Sequence, residues 1–141
     1  MSQPSSTTAY DGALRVLLVE DNPYDRRLTA ALLESAGHRL DAVGDGMSAI
    51  AAARANRYDI ILMDIGLPVL NGVATMRLIR ALGGHNRVVP IVAVTARAEA
   101  GVRGTLIAAG MDGYLAKPFG SAELYRVLDS FTASTFAAEA A

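Results

Sequence analysis

A set of polar side chains follows short apolar segments of the chain and could together carry out phosphoryl chemistry. Its members are Glu20, Asp21, Asp64, Thr95 and Lys117. Two carboxylates about 4 Å apart repel each other by roughly 4 kcal/mol at an effective dielectric constant near 20, so three at one site call for a cation. Oxygen ligands without nitrogen or sulfur favour a hard ion such as Mg²⁺. We predict that Asp21, Asp64 and a backbone carbonyl near Gly66 bind this metal, with Glu20 acting through water.

Asp64 is the best candidate for a nucleophile because it ends the most hydrophobic of these segments. Carboxylates can form aspartyl phosphates, and phosphoryl transfer depends mainly on positioning and on positive charge near the transferred oxygens. Thr95 can donate a hydrogen bond to one phosphoryl oxygen, and Lys117 can place a compact charge near another. Lys117 is also the only lysine among 13 basic residues. Its position directly before Pro118 favours a specific role over a general solubilising one.

The segments that carry these residues have the length and the β-branched content of buried strands. The predicted strands cover residues 16–19, 60–63, 91–95 and, with a weaker pattern, 114–116; a fifth at 40–43 is expected at the edge of the sheet. Helical spacing or alanine-rich composition between them predicts helices over 28–36, 49–55, 72–82, 98–109 and 124–131. Alternating strands and helices predict an open parallel sheet with helices on both faces. Such sheets place functional groups beyond the carboxyl ends of their strands.

The helix predicted over 98–109 is expected to be the least stable of the five. It contains Gly101 and Gly104 in its interior, and each costs about 1 kcal/mol relative to alanine.

Length and composition predict one domain without nucleic-acid or membrane binding. The 141 residues suit a single core, and we divide them into a flexible segment at 1–13, a domain at 14–131 and a tail at 132–141 that either frays or extends the last helix. The net charge of -1 gives no general attraction to nucleic acid or anionic lipid. Without cysteine, a disulfide or a thiolate metal site is impossible. No secretory signal or membrane span is found, so we expect a cytoplasmic protein.

Four ordered motifs resemble those of the receiver domains of two-component response regulators, and the resemblance covers roughly residues 14–131. The motifs are VLLVEDNP at 16–23, MDIGLPVLNG at 63–72, PIVAVTA at 90–96 and AGMDGYLAKPF at 109–119. The resemblance implies an α/β fold, a flavodoxin-like (βα)5 three-layer sandwich with a parallel five-stranded sheet of order 2-1-3-4-5. It also implies that Asp64 is phosphorylated, that Asp21 and Gly66 bind Mg²⁺, for which Mn²⁺ can substitute, and that the Lys117–Pro118 bond is cis.

The same resemblance implies a switch. Phosphorylation draws Thr95 toward Asp64 and Tyr114 inward, which reshapes the face formed by the fourth helix, the fifth strand and the fifth helix. Gly66 and Arg97 stand two residues after Asp64 and Thr95, at positions that resemble the sites at which this family tunes the lifetime of the phosphoryl group.

We expect a single-domain receiver, not a turnover enzyme, that takes its phosphoryl group from a histidine kinase or a histidine phosphotransfer protein. It would control a protein partner, or act as a phosphate sink or in a hybrid-kinase phosphorelay. Receivers that dimerise through their fourth and fifth helices often carry many charges there, whereas residues 98–109 carry only Glu99 and Arg103. A monomer or weak dimer is therefore expected.

A haloacid-dehalogenase-like phosphatase is less favoured, since Gly66 stands where that family requires a second aspartate. An interaction module that no longer phosphorylates is argued against by the complete set of acids and Lys117.

Several other titratable residues are assigned no role in this chemistry. Asp25 is interpreted as a cap, turn or surface charge, and His38 is not expected to carry a phosphoryl group.

Overall fold

The computed structural model describes residues 12–97 and 99–140. Within them, strands and helices alternate along the chain. The strands are β1 (Arg15–Val19), β2 (Arg39–Val43), β3 (Ile60–Asp64), β4 (Ile91–Thr95) and β5 (Gly113–Ala116). The helices are α1 (Pro23–Ser35), α2 (Gly46–Ala55), α3 (Gly72–Ala81), α4 (Val102–Ala109) and α5 (Ser121–Ala140), and a short 3-10 helix (Gly84–Arg87), which the sequence did not predict, precedes β4.

The strands form one sheet of order β2-β1-β3-β4-β5 in which all pairs are parallel. The predicted fold class and strand order are therefore confirmed. Every residue of β3 and of β4 is buried, as expected of central strands covered on both faces. The edge strand β2 is half-buried or exposed along its whole length.

Side chains of the sheet alternate between two separate hydrophobic layers. On β1, Val16 and Leu18 pack with α1 and α5, whereas Leu17 and Val19 pack with α2, α3 and α4. The sheet thus lies between two layers of helices, and its rim at the carboxyl ends of the strands remains open for a site.

Capping side chains fix the loops at this rim. The first three helices begin after Asn22, Asp45 and Asn71, whose side chains accept hydrogen bonds from backbone N–H groups in the first helical turn. Each cap satisfies a donor that the helix leaves unpaired, so the loop that leads from the strand into the helix has a defined course.

The prediction of a helix over 98–109 was wrong at its beginning. Gly101 precedes α4 with φ +88°, and this left-handed backbone cannot belong to a right-handed helix. The helix therefore starts at Val102, with Gly104 inside it and only Leu106 fully buried. Its expected low stability stays a prediction, and Ala98 lies outside the described residues.

The terminal segments are described only in part. Residues 1–11 of the N-terminal segment lie outside the described residues, and α5 continues to Ala140 through most of the tail. Over residues 12–97 and 99–140, no helix combines the length and the apolar character that crossing a membrane requires.

Candidate functional site

Three carboxylates meet at the carboxyl ends of β1 and β3. Asp64 is the last residue of β3, and Glu20 and Asp21 directly follow β1, which pairs with β3. One carboxylate oxygen from each lies within 4.8 Å of the others. Glu20 and Asp64 are only 3% and 8% exposed, whereas Asp21 is exposed. The sheet topology thus brings together the acids that the sequence analysis selected.

Crowding and burial make this group of acids electrostatically unfavourable without a cation. Burial raises the pKa of Asp64; the Gly66 N–H, which donates to Asp64 Oδ1 at 3.1 Å, opposes this shift, and the Glu20 carboxylate adds to it. Burial and the contact with Asp64 raise the pKa of Asp21. An all-oxygen donor set whose charges repel one another suits a hard divalent cation. The residues present therefore fit Mg²⁺.

Lys117 follows β5 and brings the positive charge into the group. Its Nζ lies 2.7 Å from Glu20 Oε1, 3.3 Å from Asp25 Oδ2 and 4.0 Å from Asp64 Oδ2. Burial lowers the pKa of the ammonium group, but the surrounding carboxylates outweigh this and raise the pKa above its ordinary value. The Lys117–Pro118 bond is cis, the isomer that the resemblance implied.

Both carboxylate oxygens of Glu20 have protein partners. Oε1 accepts from Lys117, and Oε2 accepts the Asn22 N–H at 3.1 Å. Glu20 is therefore directed at the lysine, and an indirect contribution to metal binding suits it better than direct ligation.

Thr95 and Tyr114 are linked through the backbone of Arg97. The Thr95 hydroxyl, buried at the end of β4, accepts the Arg97 N–H at 3.0 Å, while the Tyr114 hydroxyl donates to the Arg97 carbonyl at 3.1 Å. The Arg97 guanidinium group is exposed and pairs with Glu99 at 3.3 Å. A rotation of Thr95 would therefore change the segment to which Tyr114 is bound.

These residues surround a single open cleft of about 570 Å³. Its lining includes every predicted site residue except Tyr114, namely Glu20, Asp21, Asp64, Gly66, Thr95, Arg97 and Lys117. Tyr114 instead packs beside the core of the α2, α3 and α4 layer. The cleft can hold a small anion against one lysine, one hydroxyl group and a metal.

Asp25 also lines the cleft and contacts Lys117, so its interpretation as a cap or surface charge missed this contact. A signal was present: Asp25 lies in the first turn of α1, and the first turns of helices in this fold border the carboxyl rim of the sheet.

The two histidines lie at other places in the fold. His38 Nδ1 accepts the Leu14 N–H at 3.0 Å, ahead of β1, and His85 Nε2 is 2.6 Å from the Tyr58 carbonyl oxygen. Both positions are compatible with structural roles.

Gly72 is a second residue whose importance the sequence did not reveal. A Cβ atom there would lie 2.5 Å from the Asp64 carbonyl oxygen and 2.9 Å from Ile65 Cα. The first residue of α3 thus packs directly on the backbone that carries Asp64, and only glycine permits this approach.

We expect Gly72→Ala to destabilise the protein by about 2 kcal/mol or more, because backbone atoms must move to accommodate the methyl group. Urea unfolding measures the effect. Gly104→Ala is the matched control: a Cβ at Gly104 meets nothing within 4 Å, so this change should stabilise by up to about 1 kcal/mol. Equal stability of Gly72→Ala and the wild-type protein would contradict the prediction.

Comparison with known families and structures gives a consistent match. The family model described as the response regulator receiver domain matches residues 16–129. The receiver domain of the sensor histidine kinase PA1611 from Pseudomonas aeruginosa, whose crystal structure has a magnesium ion coordinated in the active site cleft, is 47% identical, with a TM-score of 0.79 over 86% of this chain and 98% of that one. The chemotaxis protein CheY4 of Vibrio cholerae is 28% identical, with a TM-score of 0.79 over 84% of this chain and 98% of that one.

Several curated relatives of the chain are histidine kinases. The signal transduction histidine-protein kinase BarA of Shigella flexneri is 40% identical over 82% of this chain and 12% of its own length. The sensor histidine kinase GacS of Pseudomonas protegens is 36% identical over 93% of this chain and 14% of its own length. The chain thus spans about one eighth of the length of these relatives.

Proposed function

Because the chain belongs to the response regulator receiver domain family, we propose that Asp64 accepts a phosphoryl group from a phosphohistidine in a Mg²⁺-dependent reaction. The observation that carries the proposal is the convergence of Asp21, Thr95 and Lys117 on one cleft around Asp64. The chain acts as a phosphoacceptor in a phosphorelay and not as an enzyme that turns over an external substrate.

In this reaction an oxygen of Asp64 attacks phosphorus as the bond between phosphorus and the donor imidazole nitrogen breaks. The nitrogen keeps the electron pair and takes up a proton, so that neutral histidine is released. Lys117 and the Thr95 hydroxyl group donate to the phosphoryl oxygens. Asp21, Asp64 and the Gly66 carbonyl would hold Mg²⁺, which would neutralise negative charge on the phosphoryl group.

The hydrogen bonds of Thr95 connect this chemistry to the surface. To donate to a phosphoryl oxygen, Thr95 rotates away from the Arg97 N–H, which its Oγ1 now accepts. The loop that follows β4 then rearranges together with Tyr114, which is bound to the Arg97 carbonyl. The short helix α4 begins just beyond this loop, so the face formed by α4, β5 and α5 reports the phosphorylation state.

Beryllofluoride, which mimics a phosphoryl group on a carboxylate, tests the proposal without a donor protein. Added with Mg²⁺, it should shift the backbone amide resonances of Asp64, Thr95 and Arg97 in nitrogen-proton correlation spectra, and the shifts should extend to Tyr114. Omitting Mg²⁺ is the control and should abolish the change. No shift near Asp64 and Thr95 with Mg²⁺ present would overturn the proposal.

Arg97 lines the rim of the cleft and is proposed to limit the access of water to the phosphoryl group. We expect Arg97→Ala to speed the loss of the phosphoryl group roughly two- to tenfold, because an exposed side chain shields only part of the opening. The decay of phosphorylated protein after removal of the donor measures this rate. Arg103→Ala, an exposed arginine on α4, is the matched control, and an unchanged rate in Arg97→Ala would remove Arg97 from the mechanism.

An apolar pocket beside the cleft is proposed to receive the phosphohistidine-bearing protein. The pocket, of about 460 Å³, lies between α1 and the loop after β5 and shares Asp25, Ala96 and Lys117 with the cleft. Leu28 lines it and is 48% exposed. A partner that inserts a histidine into the cleft must cover this neighbouring surface, and the similarity to histidine kinases supports such a partner.

We expect Leu28→Asp to slow phosphotransfer from the protein donor about tenfold or more, because a charge would replace an apolar contact next to the transferred group. The donor is the kinase or phosphotransfer protein that reacts fastest in phosphotransfer profiling. Beryllofluoride binding should change much less than this rate, because Leu28 lines the neighbouring pocket and not the cleft. Leu78→Asp on α3 is the control, because Leu78 is 46% exposed but belongs to the opposite helical layer. Equal transfer rates for the two variants would contradict docking at this pocket.

A further inference from the structure

Asp25 holds the ammonium group of Lys117 from outside the sheet. Its carboxylate lies 3.3 Å from Lys117 Nζ, farther than the 2.7 Å to Glu20 Oε1 but closer than the 4.0 Å that separates Nζ from Asp64. The side chain of Asp25 is 36% exposed and that of Lys117 is 18% exposed, so this contact is partly shielded from solvent. Asn22 accepts the backbone N–H of Asp25 at 3.0 Å and thereby fixes its position in α1.

A role in helix stability alone does not account for this arrangement. An acidic residue in the first turn of a helix interacts favourably with the helix dipole wherever its side chain points. The Asp25 carboxylate instead contacts the lysine and lines the cleft. It therefore adds a negative charge to a site that must receive a phosphoryl group carrying negative charge of its own.

We propose that Asp25 is a positioning residue that holds Lys117 away from Asp64, and so opposes phosphorylation of Asp64 while favouring the binding of the cation. The inference rests on the proposed function. For Lys117 to reach a phosphoryl oxygen, its contact with Asp25 must weaken. Asp25 and the incoming anion compete for one ammonium group. The negative charge of Asp25, in contrast, attracts Mg²⁺ across the cleft.

Asp25→Asn tests this inference because it removes the charge and keeps the shape. We expect the variant to bind Mg²⁺ roughly two- to fivefold more weakly, and to bind beryllofluoride at saturating Mg²⁺ roughly three- to tenfold more tightly than the wild-type protein. Both differences should shrink in about 0.5 M salt, since screening weakens partly exposed charges. Calorimetric titrations measure the Mg²⁺ affinity and the beryllofluoride affinity of each protein, each at low and at high salt. If Asp25 only stabilised the helix, its substitution would not change the Mg²⁺ affinity and the beryllofluoride affinity in opposite directions.

The single lysine of the chain provides a direct view of the contact. In protein labelled with carbon-13 at lysine Cε, one side-chain signal reports Lys117, and it should move in Asp25→Asn without any ligand. Asp25→Ser also removes the charge and keeps a residue that suits the first turn of a helix, so the lysine signal should move in this variant as well. Glu34→Gln removes an exposed charge from the other end of α1 and should change neither the signal nor the two affinities.

The outcomes separate this inference from the proposed function. If the wild-type protein binds beryllofluoride and Asp25→Asn and Asp25→Ser bind it equally well or more weakly, the positioning role is overturned and the proposed function stands. If the wild-type protein does not bind beryllofluoride at all, the proposed function fails and the inference falls with it. Tighter beryllofluoride binding together with weaker Mg²⁺ binding supports the role of Asp25.

Discussion

Asp64→Asn is expected to abolish phosphorylation, lowering the initial rate to less than about a thousandth of the wild-type rate. The amide has nearly the shape of the carboxylate but lacks the nucleophilic oxygen, and it removes one negative charge from the proposed metal site. Incubation with Mg²⁺ and either acetyl phosphate or a phosphohistidine donor, followed by intact-mass analysis of the protein, measures the result.

Asp129→Asn provides the matched control for this variant. It makes the same chemical change at an exposed residue of α5 and should leave phosphorylation unchanged. Asp64→Asn should remain folded, since it relieves a buried carboxylate of its repulsion by Glu20 and Asp21. Phosphorylation of folded Asp64→Asn at the wild-type rate would show that the phosphoacceptor is another residue.

The elements that carry the site were predictable because their signals are local. β3 and β4 are continuous apolar runs buried at every position, and such runs are typical of central parallel strands. The residues at their ends, Asp64 and Thr95, then follow from the rule that ligands bind at the carboxyl rim. Strand order does not follow from these patterns, and only the resemblance to a known family implied it.

The features that were missed depend on contacts between distant parts of the chain. Asp25 and Lys117 are 92 positions apart. The place of Asp25 in the first turn of α1 puts it near the rim of the sheet, but it does not reveal the contact with Lys117. The sequence pattern places Gly72 at the start of a predicted helix without a special role. The requirement for glycine arises from the backbone of Asp64 and Ile65, which packs against it. The start of α4 depends on the left-handed backbone of Gly101, which composition alone does not reveal.

Lys117→Met is expected to lower both phosphorylation and stability. Loss of the ammonium group should slow phosphorylation by roughly 10²- to 10³-fold, because one of the donors to the phosphoryl oxygens disappears. It also leaves Glu20, which is 3% exposed, without its 2.7 Å partner. Breaking such a pair should cost about 3 kcal/mol of unfolding free energy, the low end for a buried pair, because Lys117 is 18% exposed. Phosphorylation assays and urea unfolding measure the two effects separately.

The double variant Glu20→Gln with Lys117→Met separates the effect of Lys117 on stability from its effect on phosphoryl transfer. A glutamine at position 20 can still accept the Asn22 N–H and carries no charge, so most of the lost stability should return. Phosphorylation should stay as slow as in Lys117→Met, since the donor to the phosphoryl oxygen is still missing. Lys117→Arg keeps the charge, but its planar guanidinium group does not match a site built around a compact ammonium group, and we expect about tenfold slower phosphorylation. If the double variant regained wild-type phosphorylation along with stability, Lys117 would be a structural counter-ion, and Thr95 and the metal would be sufficient for transfer.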